Sequence, residues 1–216
     1  DFTIKALKAG KNVFLEKPLA LTLEDLKEVQ SAYALSSSHL MVGFNRRFSP
    51  LVQTIKRLLL PINEPKSFIM VMNAGTIPND HWTQDPLVGG GRIIGEACHY
   101  IDLMRYLVGY PVTSVQAMRM ELVESVDITE DKASITLGFS DGSFGTIHYL
   151  ANGGSSYPKE RIEVFTANST LKLDNFTTLK GFNWPGFNKQ KLWKQDKGQL
   201  KCVKAFLSAL KEGGET

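Results

Sequence analysis

Six short runs, Val112–Leu122, Ala133–Phe139, Ser143–Leu150, Ile162–Thr166, Thr170–Leu173 and Thr177–Gly181, are strand-like, and the two on either side of Asp141-Gly142 alternate apolar with polar residues. Alternation at period two turns one face of a strand to a core and the other to water, which is the pattern of an antiparallel sheet with one covered face. Asp141-Gly142 stands between two of the runs and predicts a hairpin. Lys66–Asn73 is a further β-rich run. A chain with this many linked strands folds around a sheet, whatever precedes it.

What precedes it is different. Ile4, Leu7 and Lys8 have helical spacing, Gly10 suits a helix C-terminus, and Val13-Phe14-Leu15 is a short apolar strand. A helix leading into such a strand belongs to a parallel sheet, which needs neighbours. Thr22 and Asp25 form a capping box for a helix to about Leu35, with Leu26, Val29 and Tyr33 on its apolar side. His39–Phe44 is a strand, and Ser49-Pro50 opens a helix to about Leu60. Gly95–Val108 is a helix, and Gly181–Lys191 an irregular loop. A last helix puts Val203, Phe206, Leu207 and Leu210 on one face and stops at Gly213-Gly214. The fold class is α+β: a short α/β opening followed by an open, mostly antiparallel sheet with helices on one face. The unpartnered opening strand and the abrupt end predict a piece of a longer protein.

The 216 residues are 43% hydrophobic, enough for a sizeable core. The net charge of +3, with lysines scattered among apolar residues near the C-terminus, argues against a nucleic-acid partner. Cys98 and Cys202 have no ligand spacing, so neither a zinc site nor a disulfide framework is expected, and a reducing compartment, the cytoplasm, fits. No apolar run reaches the roughly 18 residues of a membrane span, so no membrane partner is expected.

Three places offer chemistry. Lys17 follows the strand at Leu15-Glu16-Lys17-Pro18, in the crevice outside the carboxyl ends where open α/β sheets bind ligands; Pro18 confines Lys17 to extended conformations. A surface lysine paired with Glu16 is the alternative. On the helix Gly95–Val108, Ala97, Ile101, Met104 and Val108 form the core stripe, while Gly95, His99, Asp102 and Tyr106 lie on the next. Asp102 or Glu96, each three residues from His99, can orient its imidazole as an acid or base; a structural histidine is the alternative. Asn45-Arg46-Arg47 forms a corner that suits an anionic group, or is ordinary surface charge. His81, Trp82 and Gln84 suit a sugar.

The glycines before the helix, Gly89-Gly90-Gly91, do not make a dinucleotide loop. G-x-G-x-x-G requires glycine at 94, where Ile94 stands, with Gly95 one residue late, and the preceding GTIPNDHWTQDPLV reads as a polar loop and not a strand.

Taken together, ALKAGKNVFLEKPLALTLEDLKEV (6–29), VGFNRRFSP (42–50) and GGGRIIGEACHYIDLMRYLVG (89–109) resemble the Gfo/Idh/MocA family of nicotinamide-dependent oxidoreductases, the group of glucose–fructose oxidoreductase and inositol dehydrogenase, across nearly the whole chain. The resemblance implies the remnant of a dinucleotide-binding Rossmann domain at 1–21 and a substrate-binding, catalytic α+β domain at 22–216. It implies Lys17 and His99 as catalytic residues, Glu16, Lys17 and Pro18 beside the cofactor, and Asn45, Arg46, Trp82, Glu96, His99 and Asp102 around a sugar-like or cyclitol substrate, with no metal. The cofactor is NAD or NADP in the longer parent. The family's G-x-G-x-x-G loop is absent, so this piece alone is expected to bind no cofactor and to be inactive. Many members carry an aspartate four residues before the helix histidine, where this chain has Gly95. A binding or dimerisation module that kept the fold and lost the site is the competing reading. The uncovered sheet face predicts a homodimer or higher homo-oligomer.

Overall fold

The structure is a computed structural model that describes residues 2–85, 87–121 and 130–212. Leu122 and Gly213-Gly214 lie outside them. The chain opens with α1 (Phe2–Lys8), β1 (Val13–Leu15), α2 (Leu23–Ala34) and β2 (Leu40–Val42). β1 and β2 pair in parallel, Val13 opposite Leu40 and Leu15 opposite Val42, so the parallel unit continues past residue 21. The capping box at Thr22 forms: its hydroxyl accepts from the Asp25 amide at 3.1 Å and donates to the Asp25 carboxylate at 2.7 Å. α2 buries Val29 and Ala32, while Tyr33, expected on the apolar side, is exposed; among the described residues the helix packs chiefly against α1.

A 3₁₀ turn, Asn45–Phe48, leads into α3 (Pro50–Leu59). Proline occupies the first turn as read, but Ser49 makes no side-chain cap; its hydroxyl donates to the Asp196 carbonyl at 2.8 Å. Then follow β3 (Ser67–Asn73), a π-helical turn (Ile93–Ala97) running into α4 (Cys98–Val108), β4 (Val112–Arg119), β5 (Lys132–Phe139), β6 (Phe144–Leu150), β7 (Glu160–Thr166), β8 (Ser169–Asp174), β9 (Thr178–Phe182), β10 (Lys189–Lys191) and α5 (Gln199–Glu212). β10 corrects the loop expected at Gly181–Lys191: Lys-Gln-Lys carries no apolar alternation, and backbone pairing of Lys189–Lys191 with Thr178–Lys180 makes it a strand.

β3 to β10 form one sheet of eight strands in the order β10-β9-β8-β7-β3-β6-β5-β4. All neighbours are antiparallel except β3 and β6, which run parallel with Ser67 opposite Phe144. The core lies on one face, where Leu51 and Ile55 of α3 and Tyr100, Leu103, Met104 and Leu107 of α4 meet Phe68, Met70, Ile147 and Val164 of the sheet. Each such side chain contributes roughly 1.5–3 kcal/mol on leaving water. The alternate residues Ile69, Phe144, Phe165 and Phe182 are exposed on the opposite face.

α5 packs elsewhere. Cys202 and Phe206 join Met41 and Phe14 against the two-stranded parallel unit, with the Phe14 and Phe206 rings 5.6 Å apart. The buried stripe is Cys202, Phe206 and Ala209; Val203 and Leu207, expected to be buried, are 42% and 49% exposed. Among the described residues no helix is long and apolar enough to cross a membrane.

Candidate active site

The glycine run is a turn. Gly90 and Gly91 both take left-handed backbone angles, φ 70° and 76°, which a side chain disfavours, and Gly89 packs against the backbone of Trp82 and Thr83. The chain then enters a π-helical turn that contains Gly95 before α4 proper begins at Cys98. Such a turn interrupts the regular i→i−4 ladder. There the carbonyl of Gly95 receives the ammonium of Lys17 at 2.6 Å, a bond spanning 78 residues of sequence. Lys17 reaches it from the carboxyl end of β1, preceding a Lys17–Pro18 bond that is cis. This brings the first two sequence candidates together, and among the described residues no ion pair joins Lys17 to Glu16. The Glu16 carboxylate instead lies about Gly43, where an added Cβ would stand 3.3 Å from it.

His99 sits one turn beyond Gly95 and is 6% exposed, with Phe44 edge-on to its ring at 6.1 Å. The expected pairing of Asp102 with His99 is not formed: Arg47 holds the Asp102 carboxylate through both Nε and Nη2. Glu96 does not reach His99 either, because the wide turn directs it to Tyr149 and Arg92, which donate to it. The His99 Nδ1 is buried without a partner. Burial, then Arg46 and Lys17, push the imidazole down to about 3, so the ring is neutral at physiological pH. Burial lifts Asp102 despite Arg47, whereas Tyr149 and Arg92 together overcome burial and lower Glu96.

Beneath His99 lies a buried network that the sequence did not reveal. Glu160, the first residue of β7, accepts from Arg46 Nε at 3.2 Å and Nη2 at 2.6 Å and from the Tyr100 hydroxyl. Lys197 Nζ stands 2.6 Å from the other carboxylate oxygen as an ion pair. Burial works to raise the Glu160 carboxyl, but Arg46 and Lys197 outweigh it and hold it at about 2. Arg46 is therefore committed within the protein, which corrects its reading as a free anion clamp. Asn45 is also committed, its amide nitrogen donating to the Lys197 carbonyl at 2.8 Å. Glu160 and Lys197 carried no motif, and only the folded ladder and the loop before α5 bring them here.

Trp82 is 62% exposed on a short 3₁₀ turn, Trp82–Gln84, capped by His81. Its ring neighbours His81 at 5.9 Å, and among the described residues no hydrogen bond or ring contact ties it to Lys17 or His99. Neither a cluster of acidic, histidine and cysteine side chains fit for a metal nor a disulfide occurs among the described residues; Cys98 and Cys202 are free, and burial pushes both thiols up to about 11.

A lysine at the end of a parallel strand is thus bonded to the turn that leads into the helix carrying a buried neutral histidine, over one face of an open, mostly antiparallel sheet, which defines an α+β domain joined to a parallel α/β unit. Residues 1–44 match the model of the oxidoreductase family's NAD-binding Rossmann fold, and residues 62–172 match that of the GFO/IDH/MocA C-terminal domain. The chain belongs to the GFO/IDH/MocA oxidoreductase family. It is 32% identical over 178 residues to an uncharacterized oxidoreductase, YrbE, of Bacillus subtilis, covering 79% of this chain and 50% of that protein. It is 29% identical over 192 residues to a myo-inositol 2-dehydrogenase of Thermotoga maritima, covering 81% and 53%. The solved structure of a levoglucosan dehydrogenase in complex with NADH superposes with a TM-score of 0.83 at 24% identity, covering all of this chain and 68% of that one. The chain spans about half the length of the first two relatives.

Proposed function

We propose that this chain is the substrate-binding and catalytic part of an oxidoreductase that uses NAD or NADP to oxidise or reduce a carbinol of a sugar or cyclitol by hydride transfer. The observation that carries the reading is the bond from Lys17 to the Gly95 carbonyl, which sets the end of the parallel unit against the helix bearing His99. The names of the inositol and levoglucosan dehydrogenases support the substrate class.

The residues present fit the nicotinamide end of such a cofactor. Lys17 and Pro18 lie outside the carboxyl end of a parallel strand, Glu16 beside them, and His99 Nδ1 is left without an internal partner. The fingerprint that seats the pyrophosphate is not in this sequence, so the 216 residues alone bind the cofactor poorly and are inactive. When bound, the cofactor accepts or gives the hydride. Lys17 Nζ positions the reacting oxygen and holds or supplies its proton, and the neutral imidazole of His99 is the partner for proton transfer. Asn45, Arg46, Glu96 and Asp102 shape the walls through their fixed partners, and Trp82 stands on the loop entering the helix.

Pairing of β1 with β2 supports drawing the division between the two parts near Phe44, beyond residue 21. The exposed face bearing Ile69, Phe144, Phe165 and Phe182 supports a homodimer through the sheet. The free thiols support a cytoplasmic location.

A non-catalytic module is favoured by one observation, the glycine at position 95. Turnover of a sugar or cyclitol carbinol with NAD or NADP by the full-length gene product separates the two, and its absence overturns the enzymatic reading. In Lys17→Ala near-abolition of that turnover with an unchanged circular dichroism spectrum is expected, and unchanged turnover overturns the role given to Lys17.

A further inference from the structure

The charges around His99 do not balance. The charges that weigh most on its imidazole are three cations, Arg46, Lys17 and Lys197, and one anion, Glu160. Glu160 is shared by Arg46 on one oxygen and Lys197 on the other, so that network keeps one positive charge in excess. Lys17 bonds to a carbonyl, which carries no countercharge. The neighbouring Arg47 and Asp102 cancel each other. With the ring neutral, the site therefore holds two positive charges beyond its acids, in a setting where Arg46 and Glu160 are nearly removed from water. Unbalanced charge next to a low-dielectric wall is costly unless something of opposite sign arrives.

Of the cations, Lys197 is the one suited to meet an arriving group. Its side chain is 19% exposed, against 9% for Arg46, and it sits on the loop before α5, held there by the bond from Asn45 to its carbonyl. An ammonium has three donors, and the Glu160 carboxylate faces one side of it.

We propose that the substrate is a sugar or cyclitol bearing a negatively charged substituent, and that Lys197 receives this substituent beside His99. The inference rests on the oxidoreductase reading above and names the substrate class within it. It also gives the imidazole a way to work. Held down to about 3 by burial and three cations, the ring is a feeble base, and a bound anion would offset those cations and bring its proton affinity back toward neutral pH.

The test uses the full-length gene product with hexuronates, hexoses and hexose 6-phosphates of the gluco, galacto and manno series. Kd is measured by calorimetry with oxidised cofactor present, and kcat/KM is measured for each sugar. The expected result is that a carboxylated or phosphorylated sugar is preferred over its neutral parent by tenfold or more in both readouts, and the arms show which anion is taken. In Lys197→Met the preference should fall toward unity, and in Lys197→Arg it should be largely kept. Because Lys197→Met leaves Arg46 and Glu160 as a balanced pair, the melting temperature should hold, which separates lost recognition from lost folding. A neutral sugar bound as well as its charged counterparts, no binding of any charged sugar, or a preference unmoved by Lys197→Met overturns the proposal. Tight binding of a charged sugar with no turnover of any carbinol upholds the charge inference and sinks the oxidoreductase reading instead.

Discussion

The Lys17 ammonium and the Gly95 carbonyl meet at 2.6 Å, and through that one bond the strand β1 and the helix bearing His99 share a site. A neutral acceptor at this position leaves the lysine's charge uncancelled.

Removing the lysine should separate chemistry from folding. Lys17→Ala in the full-length gene product is expected to lower kcat by about 100-fold or more, the usual worth of a positioned proton-transfer group. Stability should change by only about 1 kcal/mol, since a single partly exposed hydrogen bond is lost. Steady-state rates alongside urea melts check both numbers, and a large stability loss with retained rate would contradict the assignment.

Acid should unfold the protein earlier than its surface charge suggests. His99 titrates near 6.5 when unfolded but at about 3 when folded, so between those values the unfolded chain binds the extra proton. The stability due to the neutral ring is present above pH 6.5 and drains away as pH falls, by about 1.4 kcal/mol per pH unit. Glu160 adds the same slope between its ordinary 4.5 and about 2. Urea midpoints at pH 7.5, 6 and 5 should decline, and in His99→Asn the decline between pH 6.5 and 5 should flatten.

The ion network under His99 should be fragile to single changes. Glu160→Ala leaves Arg46 buried without an acid and is expected to cost about 3–5 kcal/mol. Pairing it differently, as Glu160→Leu with Arg46→Met, should recover most of that, because Lys197 can turn to water. Thermal melts of the three proteins decide it; equal loss in the single and double variants would show that the charges are not the cause.

The exposed sheet face should hold two copies together. Light scattering of the purified chain is expected to give twice its 24.0 kDa mass, and Phe165→Glu, placing a charge in the middle of that face, should halve it. A monomer at high concentration in the parent sequence would refute the sheet as the interface.

Much of the architecture could be read from residue order, because its cause is local. Strand-like runs marked β3 to β9, the box at Thr22 and Asp25 marked the start of α2, and of the stripe Ala97, Ile101, Met104 and Val108 all but Ile101 proved buried, alongside Tyr100, Leu103 and Leu107, which the stripe omitted. β10 was hidden because Lys-Gln-Lys pairs by backbone alone. The buried stripe of α5 was misplaced because its partner is the small parallel unit and not the large sheet. At the site, Lys17 and His99 stood out through neighbouring motifs. Spacing on a regular helix wrongly joined His99 to Asp102, since a π-helical turn and an arginine 55 positions upstream were needed to see who holds that acid. Glu160 and Lys197 are ordinary letters in charged stretches, and their roles arise only from contacts 114 and 37 residues away; the second separation is the difference of their numbers.

The loop that carries Lys197 has a consequence for how the protein is made. Asn45 and Ser49 bind the carbonyls of Lys197 and Asp196 across roughly 150 residues, so the pocket's walls join the first quarter of the chain to its last tenth. During synthesis the histidine, the lysine at 17 and the buried glutamate all emerge before the closing segment does. The site consequently cannot assemble until residues 196 and 197 have been made, and a proteolytic cut before residue 196 would leave the sheet beside an unfinished pocket.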